Sequence, residues 1–170
     1  MKQIKNDFEP PANIITPASR RDMRALAFHF LYAIDRHDYT VLLDTIIENF
    51  RKGFRIDITE DSLAVTMARG ATEMREELDR QIKPLLRNWK LERLGCCTRL
   101  ILRLALWELR QPEAIPSIVI NEAIELAKNF AEKDAYKFVN GILDEASKQL
   151  QLTDQEEGAN HDEPEESSKQ

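Results

Sequence analysis

Residues 94–110 read "LGCCTRLILRLALWELR". Leu94, Cys97, Leu100, Ile101, Leu104, Ala105 and Trp107 recur at helical spacing on more than one face and leave only a narrow polar stripe. A surface helix carries a single apolar stripe, so a segment wrapped this far round belongs inside, with neighbours on several sides. Pro112 and Pro116 close it. The stretch predicts a central helix, and the flanking sequence has to supply the helices that cover it.

The flanks do so. Towards the N-terminus, Ser19 with Asp22 forms an approximate capping box, and Met23, Ala27, Phe30 and Ile34 continue a helix to about Arg36. A second helix fits from about Tyr39 to Phe50, with Gly53 just past its end. A third begins near Thr59 and runs through Leu63, Met67, Gly70, Met74 and Leu78; Pro84 interrupts it, and a short fourth follows through Leu85, Leu86 and Trp89. Beyond the central helix, Ser117 opens another that carries Ile120, Ala123, Ile124, Ala127 and Phe130, and Asp134 caps the last. The expectation is an all-α fold of about seven helices and no strand, packed as two helical subdomains near residues 19–89 and 90–150. Residues 1–18 hold a proline pair and no periodicity and are expected to form a flexible arm. Residues 151–170 are polar, acidic and expected to be disordered.

Composition agrees with helices: only 5 glycines occur in 170 residues. The net charge of -6 is misleading, because residues 151–170 carry seven acids against Lys169 and so hold a charge of -6 themselves. The rest of the chain balances near zero and can carry a local basic patch. Cys96 and Cys97 are adjacent, a spacing unsuited to a disulfide framework, and are expected to be reduced thiols of a cytoplasmic protein. No segment approaches the ~20 apolar residues of a membrane span.

Catalysis finds little support. His29 and His37 are eight residues apart, His161 lies in the tail, no second cysteine pair exists and no glycine-rich loop is present. The expectation is no enzyme, metal or cofactor, with carboxylates such as Glu122 and Glu125 on a solvated face. Arg20, Arg21 and Arg24 differ, because they occupy the first turn of a helix, where the macrodipole opposes cations. Arg21, Arg24 and Phe28 share a flank, which suits phosphate contacts beside an aromatic, as single-stranded nucleic acid requires. An ordinary charged surface with Phe28 in the core is the competing reading. "KFVNG" at 137–141 is equally open, since Phe138, Ile142 and Ala146 make an i, i+4 stripe that a core helix would also show. Gly141 reads as a position where another helix approaches closely, and Asn140 as a hydrogen-bonding partner of a neighbouring backbone.

Three stretches together, "SRRDMRALAFHFLYAID", "LRLALWEL" and "IPSIVINEAIELAKNFAEKDAYKFVNGILD", resemble the NusB family of bacterial transcription antitermination factors over roughly residues 19–150. That resemblance implies seven helices in two subdomains. It also implies pairing with NusE, a small-subunit ribosomal protein, and binding of the boxA element of ribosomal RNA leaders, so that RNA polymerase, with other Nus factors, reads through terminators. It places RNA contacts at Arg20, Arg21 and Arg24, with Asp22 standing where members often have a further arginine, and at Asp134, Lys137 and Phe138. Leu85 stands where some members offer RNA an aromatic. NusE contacts fall on Tyr32, on Glu92 and on Thr98, which replaces an acid used by some members. A monomer and a homodimer are both compatible with the resemblance, and a helical interaction scaffold that keeps the fold without binding RNA is the alternative function.

Overall fold

A computed structural model describes residues 15–159, with side chains to residue 153. The expected arm before Ile15 and the tail after Ala159 lie outside the described residues. Seven α-helices occur among those residues: α1 (Arg20–Arg36), α2 (Leu43–Phe54), α3 (Leu63–Glu73), α4 (Arg75–Ile82), α5 (Cys96–Leu109), α6 (Pro116–Phe130) and α7 (Ala135–Ala159). One β-bridge, Ile15 to Ile56, is the only β pairing described.

α1 starts where its local chemistry dictates. The Asp22 N–H donates to the Ser19 hydroxyl and the Ser19 N–H donates to the Asp22 carboxylate, each at 3.0 Å, which satisfies two of the donors that a helix start leaves open. α2 begins four residues later than its period suggests. Asp38 and Tyr39 take left-handed φ angles of 49° and 56° to turn out of α1, so neither can open a helix. α2 then runs through Gly53 and ends on Arg55, itself left-handed at φ 53°.

The predicted third helix is two helices. Thr59 donates its hydroxyl to Asp61, and Ser62 caps instead, accepting from the Val65 N–H at 3.4 Å. Met74, at φ -92° and ψ 11°, separates α3 from α4. After α4 the chain forms 3₁₀ turns at Lys83–Leu86 and Leu91–Arg93 where a short fourth α-helix was expected. The helix count survives because the break at Met74 adds one helix and the Pro84 region loses one.

α5 is the interior helix. Every residue from Leu100 to Leu109 is buried, and the helix packs on α1, α3, α4, α6 and α7. Its polar stripe is buried too and finds partners. Arg103 donates to both Asp79 oxygens at 2.7 and 2.8 Å and to the Tyr39 hydroxyl at 3.2 Å, while Glu108 takes Arg24. The indole of Trp107 lies against α3 at Gly70, where a β-carbon would come within 2.1 Å of Trp107 Nε1.

Gly141 is a correction. It is exposed and a β-carbon there would meet nothing within 4 Å, and Asn140 is exposed as well, so neither permits a close helix approach. α7 continues as helix through Ala159, past residue 150. No described helix is long and apolar enough to cross a membrane.

Candidate nucleic-acid and partner interface

The three arginines of α1 have three different environments. Arg20 is exposed and makes no ion pair among the described residues. Arg21 keeps 67% of its side chain in solvent and reaches Glu122 of α6 with two nitrogens, Nη2 to Oε1 at 2.7 Å and Nε to Oε2 at 3.0 Å. This fork holds the Glu122 carboxyl below its usual range, while burial of the acid opposes the shift. Glu122 is therefore an engaged partner and not one member of a solvated face. Arg24, expected at the RNA face, is enclosed: its side chain is 7% exposed, and its fork grips Glu108 of α5 at 2.5 and 2.9 Å. A guanidinium so enclosed offers nothing to a phosphate unless the pair breaks. Phe28, the proposed aromatic beside the arginines, is core. An unpaired charge on a buried helix demands a partner, so Glu108 on the polar stripe of α5 was the available clue to the role of Arg24.

The second expected group lies at the start of α7. Asp134 precedes the helix with a left-handed φ of 65°, unlike the extended backbone of a helix cap, and its carboxylate faces Lys137 Nζ at 3.4 Å. Lys137 is exposed; Phe138 is half-buried, packed on the core with its remaining surface in a groove shared with the Lys83–Leu86 turn. Phe138 is thus neither fully core nor fully exposed. Leu85 is buried on the same side. No hydrogen bond or ion pair joins this group to the arginines among the described residues.

The residues expected to face a protein partner surround the junction of α1, α5 and the α6–α7 connection. Asp35 near the end of α1 accepts from Cys96 Sγ at 3.2 Å and pairs with Arg99 at 3.4 Å, pinning the first turn of α5. Tyr32, one turn before Asp35, is 41% exposed. Beside it Phe130 stacks on Phe28 with centroids 5.0 Å apart, and His29 meets Phe130 edge-on. Phe130, read from its period as a core position, is in fact at the surface. Glu92 is exposed in the second 3₁₀ turn. Thr98 is buried, and its hydroxyl donates to Glu132 at 2.6 Å. That carboxylate occupies the space a side chain at Gly95 would fill, since a β-carbon there would fall 1.2 Å from Glu132 Oε1. An acid therefore does stand beside position 98, delivered from another part of the chain, and nothing in the local spacing around Thr98 announces it.

Comparison with known proteins places these features. The sequence profile of the NusB family matches residues 21–148. The transcription antitermination protein NusB of Staphylococcus haemolyticus is 37% identical over 125 residues, spanning 74% of this chain and 96% of its own. That of Psychromonas ingrahamii is 38% identical over 144 residues, spanning 84% of this chain and 97% of its own. Among solved structures, T. maritima NusB superposes with a TM-score of 0.68 at 35% identity, over 77% of this chain and 92% of that one. The NusB of a crystal structure of antitermination factors NusB and NusE in complex with double-stranded RNA has a TM-score of 0.66 at 28% identity, over 76% of this chain and 96% of that one. With its helical core matched from the first turn of α1 into α7, this chain belongs to the NusB family.

Proposed function

We propose that this protein is an RNA-binding transcription antitermination factor that acts with a NusE partner on boxA RNA of ribosomal leader transcripts. The observation that carries the reading is the exposed pair Arg20 and Arg21 in the first turn of α1. Cations at that end oppose the helix macrodipole by some tenths of a kcal/mol each, so fold stability gives no reason for them. Phosphate contact does. Arg20 is ready for it, whereas Arg21 has to exchange Glu122 for RNA, an exposed pairing that costs little to give up. Lys137 and Phe138 extend the RNA face onto α7, and Asp134 sets the position of Lys137. Arg24 supports the face from beneath through Glu108.

The partner face comprises Tyr32 with the neighbouring Phe130 and His29, together with Glu92 and the carboxylate of Glu132. Thr98 acts there through its hydroxyl, which holds Glu132 in place of an acid of its own. Association of NusE beside this face adds a second RNA-binding surface and strengthens a weak intrinsic affinity.

The test is titration of boxA-type RNA, with and without NusE, at two salt concentrations. Single-strand binding should follow log salt with a slope of about -0.7 per phosphate neutralised. An Arg20→Ala, Arg21→Ala variant should lose affinity and flatten that slope while keeping its NusE affinity. Equal affinity and equal slope for variant and wild type would remove α1 from the RNA face. NusE binding with no RNA affinity at either salt would leave an interaction scaffold.

A further inference from the structure

The Arg87–Lys90 connection presents a tryptophan that packing does not explain. Trp89 is 59% exposed, whereas Trp107, the second tryptophan of the chain, is 9% exposed. Leaving an indole in water forfeits one of the largest apolar contributions a side chain can make. The backbone that carries the ring is nevertheless held in place. The Trp89 N–H donates to the Leu86 carbonyl at 2.9 Å, closing a turn in which Arg87 takes φ 48° and ψ -92°, a backbone region costly for a residue other than glycine. Leu86 on one side and Leu91 on the other are anchored in the core, so the excursion is braced at both ends.

Beneath it runs a groove of about 420 Å³. Arg87, Asn88 and Trp89 form one wall, and Lys137 and Phe138 of α7 form the other. Among the described residues no ring stacks on Trp89, and Arg87 makes no hydrogen bond or ion pair. The groove thus carries an open aromatic face with a cation on each wall, one of them uncommitted, and one carboxylate, Glu145, in its lining. Stacking on an unpaired base needs that combination, because every base has a π-face while its neighbouring phosphates need positive charge.

We propose that Trp89 is the platform on which one unpaired base of a bound RNA strand stacks, with Arg87 and Lys137 meeting the flanking phosphates. The inference rests on the RNA-binding reading above and adds a site at a connection between elements, remote in sequence from the arginines of α1. The stacked base is selected for being unpaired and not for its identity. The groove therefore distinguishes single strands and loops from continuous duplex.

Tryptophan emission tests this directly, since Trp107 is enclosed against α3 and Trp89 is not. A short single-stranded boxA-type RNA should quench the wild-type emission, and the same sequence annealed to its complement should leave it unchanged. Trp89→Ala should abolish the quench and weaken single-strand binding about five- to 150-fold, the range of one lost base stack. Trp89→Phe should retain most of the affinity without the signal. Arg87→Ala should reduce the salt slope by about 0.7, one phosphate contact. The Trp89 side chain is mostly in solvent, and unchanged circular dichroism of both variants would verify the fold. Single-strand binding by Trp89→Ala at wild-type affinity would overturn the platform and leave the RNA-binding function standing. Quenching by NusE without RNA, unaltered when RNA is added, would instead assign the ring to a protein contact. Failure of the wild type to bind RNA with NusE present would overturn both.

Discussion

Arg21 and Arg24 are three residues apart on one helix flank, yet solvent reaches 67% of one side chain and 7% of the other. Their pairs should respond accordingly. Arg24→Ala strands the Glu108 carboxylate in the core and should cost about 3–5 kcal/mol in urea denaturation. Arg21→Ala should leave the denaturation midpoint nearly unchanged. A loss of RNA binding in an Arg24 variant therefore mixes lost fold stability with lost support of the face, and Arg21 is the residue with which to probe recognition. Glu122 adds a pH signature: Arg21 depresses its carboxyl below the ordinary 4.5, so its contribution is present above about pH 4.5 and is lost as pH falls through the lower folded value. Glu122→Gln should flatten that part of the acid-denaturation slope, and an unchanged slope would show the pairing to be idle in solution. Cys96 offers a separate check. Burial first, and then its hydrogen bond to Asp35, push the thiol up to about 11. Iodoacetamide labelling at about pH 8 should then be slow, because only about one thiol in a thousand is ionised. Asp35→Asn should speed it.

Helices α3 and α7 each contain a glycine that their sequence context does not distinguish, and the structure separates them. Gly70→Ala drives a β-carbon into the Trp107 indole and should destabilise the fold by about 1–3 kcal/mol despite the better helix propensity. Gly141→Ala has open space and should stabilise by up to about 1 kcal/mol. Equal shifts in denaturation midpoint for the two would contradict the packing described. The contrast also shows where elements were legible in the sequence. Ser19 and Asp22 announced α1 because a capping box is complete within four residues, and α5 announced itself through the density of its apolar positions. The start of α2 was hidden because Asp38 and Tyr39 adopt left-handed turns without a glycine, and the break at Met74 has neither proline nor glycine to mark it. Among the candidate site residues, Arg20 and Lys137 are exposed, as a phosphate contact would require. Arg24, Glu122 and Glu132 were misread or missed because their roles depend on partners 84, 101 and 34 residues away.

For the whole molecule, the charge of -6 coincides with that of residues 151–170, while the RNA face proposed here is basic. Electrostatic repulsion from that end should oppose RNA over a Debye length of about 10 Å at 0.1 M salt and about 3 Å at 1 M. A chain trimmed after Thr153 should bind RNA more tightly at low salt, with the advantage fading as salt rises. An advantage independent of salt would point to steric cover. The interior of the molecule poses a different problem. A helix apolar all round can turn about its own axis and still bury a leucine wherever it buried one before, so apolar contact alone leaves the orientation of α5 degenerate. Arg103 and Glu108, about 140° apart around that axis, lift the degeneracy: one rotation alone satisfies Asp79 on α4 and Arg24 on α1 together. They work as index marks, and their meaning lies in the match and not in which helix carries which sign. An Arg24→Glu, Glu108→Arg exchange should keep the orientation that either single reversal destroys, so inherited change at these positions is expected to proceed by whole pairs.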